Sequence, residues 1–275
     1  MLWHDVELDL DAATPEVAAA LRYLVTGAGH DFPALATMHY AVTSGAGGHQ
    51  VREEGDDLAT VDHPADVLDL VYRRVHQRAF ELASLRGWVR LHAAVVDLAG
   101  GPAWSGPRVL LVAPSGTGKT TLACRLLLDG QAVAGDESTL VRDGLALPVA
   151  RRFHLKPGLE AAVADLTPRT GDLPGLVDGS VRAFDPSEAG FAWTIGVRRV
   201  DHVVLVERRP GAGGLEPASA VQAMPEVVDQ SFPHQEATGA LLAQVAAVLR
   251  AARCWRLGVD TPAEASILVR GLASE

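Results

Sequence analysis

The stretch RVLLVAPSGTGKTTLACRLLLDG, residues 108–130, constrains the fold of this chain more than any other. An apolar run suited to a buried strand leads into a glycine turn, and leucines then recur at helical spacing as far as Gly130. A glycine there suits the left-handed conformation that is common after helix ends. The pattern predicts a strand, a tight loop and a helix that begins at Gly118, which is a unit typical of α/β folds.

The loop APSGTGKT, residues 113–120, satisfies the phosphate-binding pattern except that Ala113 occupies the position of the first glycine. Glycines at 116 and 118 let backbone N–H groups turn toward phosphate oxygens, the lysine adds a full positive charge, and the following threonine offers a hydroxyl to Mg²⁺. A glycine turn that only joins strand to helix is the alternative, and it leaves the cost of burying a lysine there unexplained. We therefore expect ATP or another nucleoside triphosphate to bind together with Mg²⁺. The predicted nucleotide-binding residues are Pro114, Ser115, Gly116, Thr117, Gly118, Lys119, Thr120 and Thr121.

Two adjacent acids, Asp136 and Glu137, follow Lys119 by 17 and 18 positions at the end of a short apolar run. A phosphoryl-transfer site needs carboxylates to hold metal or to accept a proton. Paired acids at a strand end are otherwise commonly solvated, but the glycine loop just upstream favours the functional interpretation. We predict that Lys119, Asp136 and Glu137 are catalytic and that Thr120 and Asp136 hold the metal. Which of the two acids is the base stays open.

Three further residues are candidates for the same site. His92 lies in the apolar run WVRLHAAVVD, which predicts a strand next to that of the loop, so its ring either meets the transferred phosphate or fills the core. We include it among the catalytic residues. In RRFHLKPG, Lys156 and Arg152 are candidates to contact phosphate or substrate with Arg151 beside them, and a basic surface turn is the alternative.

The rest of the chain predicts two regions. Alternating apolar residues indicate a strand in DVELDLD, Thr14 and Pro15 begin a helix, and the glycines of MHYAVTSGAGGHQVREEG indicate a hairpin. A helix over 64–85 joins this part to the second region. We therefore predict a small α+β lobe over 1–87 and a catalytic domain over 88–275. Further elements of the second region are strands in AVAGDESTLV and DHVVLVERR, a helix in ATGALLAQVAAVLRAA, and a closing helix capped by Thr261.

Residues 166–193 are rich in Gly, Pro and Asp and show little periodicity, which predicts a long loop or a region that is ordered by substrate. Phe184, Phe191 and Trp193 are expected to cover an apolar part of a bound peptide. Packing of these aromatic side chains against their own domain is the alternative. Two arginines of the segment, Arg169 and Arg182, are expected to meet a carboxylate of the peptide.

Composition excludes several classes of protein. A formal net charge of −10 opposes binding to nucleic acid over most of the surface, and no apolar run approaches the roughly 20 residues that cross a bilayer. The acidic start differs from a signal peptide. The two cysteines, Cys124 and Cys254, form no CxxC pair, so we expect neither a disulfide framework nor a zinc site, and we expect a cytoplasmic location.

Across about residues 88–160, LHAAVVDLAG, VLLVAPSGTGKTTLACRLLLDGQAVAGDESTLV and the spacing between them resemble the catalytic domain of HPr kinase/phosphorylase. The same motifs resemble its smaller bacterial relatives, among them the kinases of lasso peptide clusters. The resemblance implies a P-loop kinase domain of the HPr kinase and phosphoenolpyruvate carboxykinase type. It implies that Lys119 binds the β- and γ-phosphates, Thr120 holds Mg²⁺ and His92 lies in the active site. Glu137 aligns with the family's catalytic aspartate and Asp136 with its acidic neighbour.

Two features of the sequence depart from that family. A glutamate stands at the position of the catalytic aspartate, and its side chain is one methylene longer. The later R-G-x-G signature of the bifunctional enzymes has no clear counterpart, since VDGSVRAFDPSEAG occupies that region. The sequence therefore gives no support for phosphorylase activity, and whether any remains stays open.

Together these features predict a Mg²⁺-dependent kinase that passes the γ-phosphoryl group of ATP to a hydroxyl, with serine of a peptide or small protein as the expected acceptor. One alternative is a small-molecule kinase that acts on free serine or a sugar alcohol. Another is a nucleotide-binding regulatory protein without kinase activity, against which the retained acids argue. We expect no nucleic-acid or membrane partner, and self-association as a homo-oligomer stays open.

Overall fold

The computed structural model describes residues 4–30, 36–98, 106–155, 166, 182–231 and 238–275. The N-terminal part forms a four-stranded sheet in the order β1 (His4–Asp9), β3 (Ala36–Gly45), β4 (Gly48–Glu53), β5 (Asp56–Val61). Strand β1 runs parallel to β3, and the other pairs are antiparallel. Helices α1 and α2 complete this part. Its elements are β1 His4–Asp9, α1 Pro15–Leu21, β2 Gly29–His30, β3 Ala36–Gly45, β4 Gly48–Glu53, β5 Asp56–Val61 and α2 Pro64–Ser84.

A nine-stranded mixed sheet dominates the rest of the chain. The elements of this part are β6 Val89–Asp97, β7 Arg108–Val112, α3 Lys119–Leu128, β8 Ala132–Gly135, β9 Ser138–Arg142, β10 Leu145–Pro148, β11 Phe153–Leu155, β12 Arg182–Phe184, β13 Thr194–Ile195, β14 Arg198–Arg199, β15 His202–Arg208, β16 Gly214–Ala218, α4 Ala220–Asp229, α5 Thr238–Ala251, β17 Arg253–Val259 and α6 Pro262–Gly271. Three of these strands lie outside the nine-stranded sheet, since β11 pairs with β12 and β13 pairs with β2.

The large sheet has the order β14, β10, β9, β6, β7, β15, β17, β16, and β8 also pairs with β6. Strands β7, β15 and β17 are mutually parallel, and β6 is antiparallel to β7. Helical segments connect the parallel strands, as a crossover between parallel strands requires. The predicted mixed α/β class is therefore confirmed.

Alternation along the central strands separates two apolar layers. In β6, Val89, Leu91, Ala93 and Val95 pack against helices α4 and α5, whereas Ala94 and Val96 pack on the other face against α3. That second layer also contains Val17 of α1 and Val71 of α2, so one continuous apolar cluster joins the N-terminal sheet and the large sheet. The division into 1–87 and 88–275 stays a prediction.

The structure confirms the two helix starts that were predicted from capping residues. The hydroxyl of Thr14 caps α1 by accepting from the backbone N–H of Val17, and Thr261 caps α6 by accepting from that of Glu264. Both cysteines are buried and unpaired. No helix among the described ranges is long and apolar enough to cross a membrane.

One prediction needs correction. The sequence predicts a single strand over AVAGDESTLV, and the structure divides it into β8 and β9 at Asp136 and Glu137. Both strands pair with β6, with Gly135 opposite Val95 and Ser138 opposite His92. The two acids therefore occupy the interruption between two strands that both pair with β6.

Candidate active site

The glycine loop, residues 113–118, leaves β7 at its carboxyl end and leads directly into α3. Gly116 has φ +84° and Gly118 has φ +106°, both in the left-handed region that side chains with a Cβ rarely adopt. No heavy atom lies within 4 Å of where a Cβ would stand at either residue, so the backbone conformation rather than crowding requires these glycines. Lys119 is the first residue of the helix. The first backbone N–H groups of α3 therefore lie at the glycine loop.

Strand pairing brings His92 to the glycine loop. Ala93 of β6 lies opposite Val112, the last residue of β7, so the residues that follow in each direction, His92 and Ala113, are neighbours. The buried amine of Lys119 uses both: Nζ donates to the carbonyl of Ala113 and to Nε2 of His92, each at 3.2 Å. Sequence predicted both residues at one site, and pairing of two antiparallel strands places them in contact.

Gln230 holds the other side of the imidazole. Its backbone carbonyl accepts from the backbone N–H of His92 at 2.7 Å, and its side-chain Oε1 accepts from Nδ1 at 3.2 Å. Because Nδ1 carries the proton in this arrangement, Nε2 is left to accept from Lys119. Burial, followed by the positive charge of Lys119, lowers the pKa of His92 to about 4. The ring is therefore neutral at ordinary pH.

The two acids occupy different environments. Asp136 is buried, and its Oδ2 accepts from the hydroxyl of Thr120 at 3.3 Å. Its Oδ1 is buried without a hydrogen-bond partner among the described residues. Burial raises the pKa of Asp136, and the charges of Arg151 and Lys119 and the Thr120 hydroxyl oppose that rise. Glu137 is 41% exposed and binds Arg151 directly.

Arg151 and Arg152 point to different places although they are adjacent. Arg151 contacts Glu137 and lies 3.6 Å from Oδ1 of Asp136. Arg152 is a predicted phosphate contact, but its guanidinium makes a two-point ion pair with Glu188 and donates to backbone carbonyls of the N-terminal part. The two guanidinium groups therefore have different partners, and the cation beside the acids is Arg151.

The remaining predicted residues divide by exposure. Pro114, Ser115 and Gly116 are exposed at the tip of the glycine loop, Thr117 and Gly118 are half-buried, and Thr121 is buried in the first turn of α3. Lys156 lies outside the described residues.

Two of the three aromatic residues expected to cover a peptide are buried, and the third, Phe191, is half-buried. Phe184 and Trp193 are buried, and their rings lie 5.2 Å and 5.9 Å from the ring of Phe153. The indole Nε1 of Trp193 also donates to the carbonyl of Ala134. These two residues form core rather than a peptide surface, because an aromatic cluster of this kind gains more from burial than from exposure. Residues 167–181, with Arg169, and the side chain of Arg182 lie outside the described part.

Two residues at the site, Gln230 and Tyr72, were not predicted from the sequence. Tyr72 belongs to α2, and its hydroxyl accepts from Nη1 of Arg151 at 3.2 Å. Gln230 is 138 positions from His92 and stands in no motif, and Tyr72 belongs to the region predicted as a separate lobe. No local pattern could have indicated either residue, because both contacts exist only after distant elements pack.

Known proteins were compared with this chain by family model, by sequence and by structure, and only the structures gave a match. No family model and no curated protein sequence matches the chain. Among solved structures, the Hpr(Ser) kinase/phosphatase from Coxiella burnetii is similar at 11% sequence identity, with 66% of this chain and 95% of that chain covered and a TM-score of 0.36. That similarity is too weak to assign a fold family or an activity. The relation to kinases of lasso peptide clusters stays a prediction.

Proposed function

We propose that this protein is a Mg²⁺-dependent kinase that transfers the γ-phosphoryl group of ATP to a hydroxyl, with serine of a peptide or small protein as the acceptor. The observation that carries the proposal is the convergence of a buried lysine amine, a hydroxyl and two acids of unequal exposure at the end of β7. Lys119, Thr120, Asp136 and Glu137 lie at the start of α3 and between β8 and β9, and each corresponds to a part that phosphoryl transfer requires.

The glycine loop and Lys119 are suited to bind the triphosphate. The N-terminus of α3 carries backbone N–H groups without helical partners and a partial positive charge. The Lys119 amine, 5% exposed, adds a full charge in a place where little water screens it. Charge that spreads over the transferred group in the transition state is stabilised by these donors, which are already in position before reaction.

The residues beside the loop fit Mg²⁺. The carboxylate oxygen Oδ1 of Asp136 is buried without a hydrogen bond among the described residues, and the hydroxyl of Thr120 lies against the other oxygen. No group of three His, Cys, Asp or Glu side chains suited to a metal occurs in the described ranges. Mg²⁺ commonly uses one or two protein ligands together with substrate phosphates and water, so Thr120 and Asp136 suffice. When bound, it would neutralise charge on the β- and γ-phosphates.

The two acids divide the remaining work. Asp136 is enclosed and already bound to Thr120, which suits a metal ligand, whereas Glu137 reaches solvent and can meet an acceptor. We assign Glu137 as the base that takes the proton of the acceptor hydroxyl. The acceptor oxygen then forms its bond to the γ-phosphorus as the bond from that phosphorus to the β,γ-bridging oxygen breaks, and ADP leaves.

The exposure of Glu137 also supports a polypeptide acceptor. A carboxylate that is 41% exposed can be reached by a side chain that remains part of a larger molecule. A compact metabolite is generally held by a pocket that encloses most of its surface.

Incubation of the purified protein with ATP and Mg²⁺ tests the proposal. We expect ADP release that requires a serine-containing peptide, and mass spectrometry should locate one phosphate on a hydroxyl of that peptide. Lys119→Ala is the control and should release ADP at least about 100-fold more slowly. Phosphorylation of free serine or a sugar alcohol, with none of any peptide, would identify a small-molecule kinase. Nucleotide binding without ADP release in the presence of any acceptor would identify a regulatory protein.

A further inference from the structure

Arg151 is shared between the acids and the N-terminal part of the chain. Its side chain is 10% exposed and lies between β10 and β11. One terminal nitrogen, Nη2, contacts Glu137 and lies 3.6 Å from Oδ1 of Asp136. The other, Nη1, donates to the hydroxyl of Tyr72 at 3.2 Å and lies 3.4 Å from Nδ1 of His154. The guanidinium is thus anchored at one nitrogen by α2 and directed at the acids with the other.

This contact conflicts with the role of Glu137 as a base. A carboxylate oxygen that accepts from a guanidinium is occupied by that donor, so an acceptor hydroxyl cannot donate to it at the same position. For Glu137 to act on an acceptor hydroxyl, Arg151 must be drawn away from it.

A phosphate bound at the glycine loop would be an alternative partner for the guanidinium of Arg151. Asp136, 3.6 Å from Arg151, also accepts from Thr120 at the start of α3. Only the carboxylate of Asp136 therefore separates Arg151 from Thr120, at the start of the helix where the triphosphate is proposed to bind. Arginine is the residue best suited to bind phosphate, since its planar fork presents two parallel N–H groups. The attraction of a half-exposed carboxylate such as Glu137 is weakened by solvent, and a triphosphate carries more negative charge.

We propose that Arg151 masks Glu137 in the nucleotide-free protein and turns to the γ-phosphate when ATP binds, which frees Glu137 for the acceptor. The inference rests on the proposed function and deepens it. In this arrangement Tyr72 is a positioning residue, because it holds Nη1 while Nη2 changes partner. The N-terminal part of the chain thereby contributes directly to the site.

Binding of two nucleotides measured by calorimetry tests the exchange without relying on turnover. The probes are ADP and the ATP analogue with an imido group between the β- and γ-phosphates, each with Mg²⁺. Arg151→Met should weaken the analogue by about tenfold or more and leave ADP within about threefold, because loss of a charge-assisted bond costs on that order. Glu137→Gln should tighten the analogue relative to ADP, since the arginine is then released without cost.

The double variant separates exchange from simple electrostatics. If Arg151 must leave Glu137, then Glu137→Gln changes affinity for the analogue only when Arg151 is present. Its effect should therefore disappear in the Arg151→Met background. Arg152→Met is the matched control, because Arg152 is the adjacent buried arginine and pairs with Glu188 instead. It should not change the ratio of the two affinities.

Equal weakening of ADP and the analogue by Arg151→Met would overturn the inference and leave the kinase proposal standing, as would a Glu137→Gln effect that persists in the double variant. Failure of the wild-type protein to bind either nucleotide would overturn both. If Arg151→Met does not fold, Glu137→Gln and Tyr72→Phe decide the matter. Tyr72→Phe removes one oxygen and should weaken the analogue more than ADP, and an unchanged ratio in both variants contradicts the exchange.

Discussion

Nζ of Lys119 lies 3.2 Å from Nε2 of His92, although the two residues are 27 positions apart. The contact requires a neutral imidazole whose proton is on Nδ1, and Gln230 supplies the acceptor for that proton. The charge of Lys119, the tautomer of His92 and the side chain of Gln230 are therefore coupled. A substitution at any one of these three residues should alter the environment of the other two.

Lys119→Ala should reduce phosphoryl transfer by at least about 100-fold, because removal of one charge that stabilises the transition state costs several kcal/mol. The side chain ends at a loop carbonyl and an imidazole rather than in the apolar core, so the fold should persist. ADP release and circular dichroism measure the two effects. Arg73→Ala, which removes an exposed cation of α2 that pairs with Asp69, is the control. Turnover above about a tenth of wild type in Lys119→Ala would contradict the assignment.

Glu137→Gln should lower turnover by about 100-fold while nucleotide still binds, since the variant cannot accept the acceptor's proton. Asp136→Asn should instead raise the Mg²⁺ concentration needed for half-maximal rate, because it removes the charge proposed to face the metal. Steady-state rates across a Mg²⁺ titration distinguish the two. A loss in Asp136→Asn that excess Mg²⁺ does not restore, with an active Glu137→Gln, would make Asp136 the base.

Gln230→Leu should remove the preference of His92 for the tautomer that carries its proton on Nδ1. Without an acceptor at Nδ1, the ring can carry its proton on Nε2, where it would face the Lys119 amine without a lone pair to offer. We expect ¹⁵N spectra of the imidazole to change from one tautomer to a mixture, and turnover to fall by about tenfold. Gln244→Leu, which alters a glutamine bound to the backbone of Asp143, is the control. An unchanged ¹⁵N pattern in Gln230→Leu would refute the coupling.

Acid should destabilise the protein in part through His76. Its Nδ1 donates to the carbonyl of Tyr72, its Nε2 is buried without a hydrogen-bond partner among the described residues, and its ring lies 4.1 Å from that of Tyr72. Burial lowers the pKa of His76 to about 4, and the charges of Arg151 and Arg90 act in the same direction. Between about pH 6.5 and 4, the unfolded chain therefore binds one more proton here than the folded chain.

Stability contributed by neutral His76 is present above that window and is lost as pH falls through it, at no more than about 1.4 kcal/mol per pH unit. His76→Phe keeps an aromatic ring and removes the titration. Urea unfolding from pH 7 to pH 4 should show a shallower decline for His76→Phe than for wild type. Identical slopes would show that His76 titrates normally in the folded state.

Phe184→Ala should destabilise the fold by about 3 kcal/mol, the usual cost of removing a buried phenylalanine, and leave the affinity for ATP unchanged. Phe191→Ala, at a partly buried position near the same cluster, is the matched comparison and should cost less. Denaturant unfolding measures both. A loss of peptide binding in Phe184→Ala at full stability would restore the peptide-covering role that its burial argues against.

Local sequence determined the elements and the residue types at the site. Caps, glycines and apolar periodicity depend on neighbours within a few positions, so the strand β7, the glycine loop and α3 follow from residues 108–130 alone. The position of Asp136 and Glu137, 17 and 18 residues after Lys119 at the end of a short apolar run, likewise indicated their association with the loop. These parts were predictable because the physical causes act along the chain.

Tertiary structure decided which partner each side chain has. The interruption of one predicted strand at the acids depends on pairing with β6. The different partners of Arg151 and Arg152 depend on which acids, Glu137 and Glu188, the fold brings to each. Gln230 and Tyr72 reach the site from regions remote in sequence. Burial and charge at these positions are sums over atoms from distant elements, so no pattern of neighbouring residues contains them.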